Sequence, residues 1–268
     1  MQHLKLTVSY FGEKFVGWQF QPNGLSIQEC LERAWKKITQ EQIRITASGR
    51  TDSGVHAYAQ ICHLKTETQI DFEVLRRAIN AHTPEEIEVL LIEKTTPDFH
   101  AIRSATEKTY RYQINWGHPR DVFQIGRSWY IPQRLNVPAM IEAAKLFEGE
   151  HDFISFAAAN GQAATSIRTI KKLSVEVCDQ PPFQNLRIEA TADGFLYNMV
   201  RTIVGTLVHV GFRNRPPTWV REVIEGKDRR LAGMTAPACG LYLLNVVYDD
   251  NQKSSAQDDR VDESSSNR

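Results

Sequence analysis

The amino-acid sequence predicts an α+β fold of two similar halves, whose antiparallel sheets join or abut, with helices on one face and a cleft between the halves on the other. Three observations lead there. Period-two and helix-period apolar patterns alternate along the chain. The order of elements starts afresh at Lys108, so the second half repeats the first in arrangement rather than in residues. And 268 residues, at about 100–200 per domain, suffice for one large domain or two small ones. The expected division is an N-terminal half over 1–104, a C-terminal half over 105–248 and a polar tail over 249–268.

Leu4–Gly12 alternates, with Leu4, Leu6 and Val8 facing one way and Lys5, Thr7 and Ser9 the other, the pattern of a half-buried strand. Ser26 followed by Glu29 three residues on is a capping box. Ile27, Leu31, Ala34, Trp35 and Ile38 then recur at helical spacing, so a helix starts here with Trp35 in its core face. A short segment, Ile43–Thr46, and a glycine-punctuated loop, Ser48–Gly54, lead into a strand over Val55–Leu64. A helix over Phe72–Ala81 closes near Pro84, and a strand covers Ile87–Glu93. The second half reads as strand Thr109–Trp116, helix Pro138–Glu148 with proline at its start, strands Ser166–Cys178 and Asn185–Thr191, helices Phe195–Phe212 and Pro217–Glu225, and strand Leu241–Tyr248. Asp249–Arg268 has one valine and one alanine as its apolar content, too little to offset chain entropy, and is expected to be disordered.

Hydrophobic residues make up 41% and charged residues 24%, which excludes a disordered, collagen-like or coiled-coil chain over most of the length. No run approaches the ~18–20 apolar residues needed to cross a bilayer, and the N-terminus has no apolar signal core, so the expected location is cytoplasmic, away from membranes. Cys30, Cys62, Cys178 and Cys239 lie far apart without ligand spacing, and neither a disulfide framework nor a zinc site is indicated. The 32 Lys and Arg balance the 32 Asp and Glu, so no global polycation announces a nucleic-acid partner. The distribution is uneven, however. Arg201–Arg230 holds seven bases against three acids and Arg103–Arg134 six against two, runs that fit either solvated faces or a phosphate-facing stripe.

The most unusual stretch is Ala47–Ala57, where Gly49 and Gly54 bracket Arg50, Thr51, Asp52 and Ser53 between apolar segments. Two glycines there hold a carboxylate and a guanidinium on a tight loop that a ligand can approach closely. An Asp beside an Arg in a turn is also an ordinary surface Asx-turn, and the residues alone leave both uses open. Tyr110 and Tyr112 share a strand face, suited to cross-strand packing or to stacking a nucleobase. Arg201 lies in an otherwise apolar helix, and a charge beside such a face asks for a carboxylate partner. The histidines offer little: His56 and His63 fall on opposite faces of a strand, and His151-Asp152 sits at a helix end where capping is the ordinary role. No Ser–His–Asp set, metal-ligand set or phosphate-cradling glycine motif is visible.

Five blocks in order resemble the tRNA pseudouridine synthase A family over residues 4 to 248. Ser48–Ala57 is similar to its G-R-T-D-x-G-V-H-A signature. Asp98-Phe99-His100-Ala101 with Lys108-Thr109-Tyr110-Arg111-Tyr112 resembles its F-H-A and Y-R-Y segments, and His151–Phe156 its H-D-F-x-S-F. Phe195–Leu207 resembles its F-L-Y-x-M-V-R-x-I-V-G-x-L, and Ala236–Leu243 its closing A-P-x-x-G-L-Y-L. Ser53, Ile102, Asn198 and Thr202 depart from residues common in the family, and Ile102 removes a frequently basic side chain. The resemblance implies the pseudouridine synthase fold, with isomerisation of uridine to pseudouridine at positions 38, 39 and 40 of the tRNA anticodon stem-loop. It implies a homodimer and no metal or other cofactor.

It further implies Asp52 as the single catalytic aspartate, Tyr110 as the aromatic packed on the target base, Arg50 as an aid to base extrusion and Arg201 as the partner of the aspartate. An ion pair would keep Asp52 charged, a nucleophile or base rather than an acid. Two other functions use some of the same residues. A glycosidase or nucleosidase would need a second, protonated carboxyl group about 5–9.5 Å from Asp52, with Asp152 and Asp193 as candidates. A non-catalytic RNA-binding protein would need the basic segments and tyrosines but not Asp52.

Overall fold

The computed structural model describes residues 1–158 and 163–249, so all of the expected tail but Asp249 lies outside the described residues. Its strands form one ten-stranded sheet. In the N-terminal half, β1 (Gln2–Tyr10) runs antiparallel between β3 (His56–Thr66) and β4 (Ile87–Thr95), and the two-residue β2 (Thr46–Ala47) pairs with β3. In the C-terminal half, β5 (Ala105–Trp116), β9 (Gln184–Ala192), β8 (Ile167–Val177) and β7 (Gly149–Asp152) follow one another antiparallel, and β6 (Trp129–Ile131) pairs parallel with the end of β5.

The halves join through β10 (Leu241–Tyr248), which lies between β3 and β5. It is antiparallel to β5 but parallel to β3, with Tyr242 opposite His56 and Leu243 opposite Ala57. Chain order and space part company here: Leu243 and Val246 complete the N-terminal core, while Val55 and Leu241 belong to the C-terminal one. Aromatic rings cross the seam. Phe11 stacks on His56 at 4.4 Å, His56 meets Tyr242 at 4.6 Å, and Tyr242 meets Tyr58 at 5.6 Å.

The helices cover the sheet with the stripes their spacing predicts. Ile27, Leu31, Ala34 and Trp35 of α1 (Ile27–Thr39) and Leu75 and Ile79 of α2 (Phe72–Asn80) pack with Leu4, Leu6, Val8 and Val89. Ser26 Oγ accepts from Glu29 N–H at 3.2 Å, so the predicted cap forms, while the Glu29 side chain turns to Arg33. Asp71 caps α2 by accepting from Glu73 N–H and Val74 N–H. The second core joins α3 (Val137–Lys145), α4 (Met199–Gly211) and α5 (Trp219–Gly226) to β5, β8 and β9 through Met140, Phe147, Ile203, Leu207 and Val220.

Local expectations are corrected at the ends of helices and strands, and strand β6 was not expected. The helix expected from Phe195 begins at Met199, because Asn198 takes a left-handed φ of 63° that breaks the helical path. The helix expected to reach Glu148 ends at Lys145, and Gly149–Asp152, including the predicted helix-end pair His151-Asp152, is strand β7. β6 is too short to show a period in the sequence. The strand expected from Thr109 starts at Ala105.

Candidate active site

The Ala47–Val55 loop is clamped on every side. At its entry, buried Ser48 donates Oγ–H to Gln60 Oε1 at 2.7 Å, and Gln60 Nε2–H donates to Gly49 C=O at 2.9 Å. At its centre, Thr51 Oγ1 lies 2.8 Å from Tyr10 OH, and Thr51 C=O accepts from Trp18 N–H at 3.0 Å. Gly17 permits that last approach. It has φ +109°, and a Cβ there would lie 2.6 Å from Thr51 O. Beyond it, Ser53 Oγ–H donates to Phe15 C=O, Val55 N–H donates to Asp52 C=O, and Gly54 turns the chain at φ +80°.

This rigid loop presents Asp52 to α4. Arg201 Nη1–H donates to Asp52 Oδ2 at 2.8 Å, both side chains about four-fifths buried at 17% and 20% exposure. Arg201 is fixed in turn by Nε–H to Ala236 C=O at 2.7 Å and Nη1–H to Asn198 Oδ1 at 3.0 Å. Ala236 can reach it because the 233–236 strip lies on the backbone of α4. A Cβ on Gly205 would stand 1.8 Å from Met234 O, and Thr206 Oγ1 accepts from Gly233 N–H at 2.9 Å. Asn198, a departure from the family pattern, therefore both starts α4 and orients the guanidinium.

Tyr110 lines the same cleft and meets Phe195 edge-to-face at 5.2 Å. Burial holds its phenol above the ordinary range, with the charges of Tyr10 and Asp52 adding to the effect. Arg50 stands exposed on the cleft wall, and no described carboxylate pairs with it. The cleft has a volume of about 1930 Å3, and all four residues singled out in the sequence line it. The basic run Arg201–Arg230 reaches it through Arg201, Lys227, Arg229 and Arg230, and the run Arg103–Arg134 through Lys108. Of the remaining bases in that second run, Arg111 pairs with Glu189 at 2.7 Å, and Arg120 and Arg127 lie over the rings of Tyr130 and Phe11.

Among the described residues two carboxylates besides Asp52 line the cleft, and both are neutralised: Asp152 by Lys227 at 3.1 Å and Asp228 by Arg230 at 2.6 Å. A hydrogen bond from Ser166 and the Lys227 charge lower the pKa of Asp152. Asp193 instead accepts from Thr169 N–H at 3.1 Å. Among the described residues no group of three His, Cys, Asp or Glu side chains gathers as a metal site, and no helix is long and apolar enough to cross a membrane.

The tRNA pseudouridine synthase family matches residues 6–102 and 143–249. The chain belongs to this family. It is 40% identical over 248 residues to tRNA pseudouridine synthase A 2 of Clostridium perfringens, covering 92% of this chain and 100% of that protein. It is 40% identical to tRNA pseudouridine synthase A of Geobacillus kaustophilus, over 93% of this chain and 95% of the other. With the enzyme of that name from Shouchella clausii the identity is 43%, over 92% and 94%. The pseudouridine synthase fold and an isomerase acting on uridine in tRNA follow from this membership.

His56 is a strut of the synthase seam: its Nδ1 accepts from Gly12 N–H at 2.9 Å and its Nε2–H faces Cys239 C=O at 3.1 Å, a pairing that requires the neutral ring. Burial lowers its pKa accordingly. A lone histidine on a strand carries no trace of a bond to a residue 183 positions away. Asn198 left a fainter sign, since asparagine is among the few residues that accept a left-handed backbone.

Proposed function

We propose that this synthase isomerises uridine at positions 38, 39 and 40 of the tRNA anticodon stem-loop, with Asp52 as the carboxylate that acts on the target nucleotide. The observation that carries this reading is the position of Asp52. It is the cleft carboxylate set on a clamped glycine-bracketed loop, oriented by Arg201, with Tyr110 lining the same space.

In the reaction the C1′–N1 bond breaks, uracil turns in place, C5 bonds to C1′, the C5 proton leaves and N1 gains one. Substrate and product have the same composition. A charged Asp52 can open the sequence by attacking C1′, by adding to C6 or by taking a sugar proton. The target base must first leave its stack at a cost of a few kcal/mol. Tyr110 returns about 1–3 kcal/mol by packing on the base, exposed Arg50 assists the extrusion, and cleft cations meet the backbone phosphates. Hydrolysis by a carboxyl pair is disfavoured, because Asp152 is held as an anion by Ser166 and Lys227 and Asp193 is engaged with the backbone. The same reading has the synthase working as a homodimer in the cytoplasm.

Tritium release from tRNA labelled at uridine C5 tests the assignment, with reverse-transcription stops mapping the product. Wild-type release at the three anticodon-arm positions, with Asp52→Asn silent yet still binding tRNA, is the expected result. Turnover by Asp52→Asn near the wild-type rate removes the catalytic role, and free uracil in the supernatant replaces isomerisation by hydrolysis.

A further inference from the structure

Lys108 is a cleft cation that takes no part in breaking or making bonds at uridine. It lies two residues before Tyr110 on β5, hence on the same strand face. Its Nζ donates to Ser48 C=O at 2.6 Å and stands 3.2 Å from where a Cβ on Gly49 would be. An ammonium has three N–H donors, and Ser48 occupies one of them. No described carboxylate pairs with it. The charge that does act on it is another cation, Arg168 of β8. Burial and that guanidinium hold the Lys108 amine down at about 8. Among the described residues, Arg168 Nη1–H donates to the carbonyls of Thr165 and Ile167, and its Nε lies 3.4 Å from where a Cβ on Gly194 would be. Lys108 thus lies against a glycine where a Cβ would press on it, while Arg168 stands at ordinary contact distance from Gly194.

A largely buried ammonium near a second cation, neither of them paired with a described carboxylate, is costly unless an anion joins them. The anion that an RNA substrate brings is a phosphodiester. We propose that Lys108, with Arg168 near it, forms a site for one backbone phosphate of the RNA beside the nucleotide presented to Asp52. The assignment rests on the reading of this cleft as the tRNA site. It gives the substrate a fixed register on the enzyme, because the atom that meets the phosphate also holds Ser48, the first residue of the loop that carries Asp52.

The test measures tRNA affinity by fluorescence anisotropy across a salt series for wild type, Lys108→Met and Lys108→Arg. Loss of one phosphate contact should weaken binding about tenfold and reduce the slope of log K against log salt by about 0.7–0.9, with Lys108→Arg keeping the wild-type slope. A Lys108→Met slope equal to wild type overturns the proposal even if kcat falls, since a mere support for the loop would act on turnover alone. A second measurement needs no variant: acetylation of Lys108 in the wild-type protein, read by mass spectrometry, should fall several-fold at saturating tRNA. Equal acetylation with and without tRNA also overturns it. The Asp52→Asn turnover assay reports separately on the catalytic reading, so failure of one is not failure of the other.

Discussion

Replacing Arg201 by methionine removes the guanidinium that holds Asp52 while keeping an unbranched side chain in α4. The change deletes the 2.8 Å bond to Asp52, the 3.0 Å bond to Asn198 and the 2.7 Å bond to Ala236. It leaves the Asp52 carboxylate four-fifths buried without its cation. Breaking a fully buried pair costs about 3–5 kcal/mol and an exposed one about 0–1, so a pair at this depth should cost about 2–3 kcal/mol. At ~2–4 °C per kcal/mol for a chain of this size, Tm should fall by about 4–12 °C. Most of the loss is the stranded charge, which makes it reversible: adding Asp52→Asn to Arg201→Met should recover at least about 1 kcal/mol relative to the sum of the two single losses. Urea unfolding of wild type, both single variants and the double variant, followed by tryptophan fluorescence, closes the cycle. Losses that add to within about 0.3–0.5 kcal/mol would refute the idea that Arg201 and Asp52 act on one another.

Three further outcomes follow from the geometry. Gly17→Ala forces an L residue to φ +109° with its Cβ 2.6 Å from Thr51 O. It should cost about 1–3 kcal/mol in urea stability and slow tritium release by displacing the Asp52 loop; an unchanged midpoint would show that the contact between Gly17 and that loop is loose. Tyr110→Ala removes the ring that meets Phe195, and turnover should fall about ten- to a hundredfold, in line with ~1–3 kcal/mol of stacking; full activity would exclude Tyr110 from base packing. His63, half-buried and near His100, has its pKa lowered to about 4, chiefly by burial, and its Nδ1 accepts from Ala101 N–H. The unfolded ring takes its proton near 6.5 and the folded one only near 4, so this contribution is whole above ~6.5 and is lost as the pH falls toward 4. Discounted for solvent screening, it should make the protein about 1 kcal/mol less stable at pH 5 than at pH 7.5, and His63→Gln should shrink that difference. An undiminished pH dependence in His63→Gln would locate the titration elsewhere.

Much of the site was legible before the structure, and for local reasons. The loop announces itself by two glycines around charged residues, and Arg201 by standing in an apolar helix that cannot hold a lone charge. The helix start at Ser26 is legible because a cap is a bond between neighbours. The errors lie where a left-handed residue or a distant contact overrides the local pattern. Phe195–Asn198 has a helical pattern, yet Asn198 leaves the helical path and its amide goes to Arg201. Lys108 reads as one base in a charged run, because its acceptor, Ser48 C=O, lies 60 residues away.

Composition, period and capping residues determined which segments are strands and helices and which face of each is apolar, since those properties act over a few residues. The residue pattern says that Arg201 needs a carboxylate, and only the family resemblance, not the pattern, names Asp52 as the acid it meets. That choice belongs to the tertiary structure. Asp52 lies 149 residues from Arg201, and they meet because β10 joins the sheet halves in parallel with β3 while Gly205 and Gly233 let the 233–236 strip settle on α4. A contact at that separation is decided by the packing of whole elements, a property no window of the chain contains.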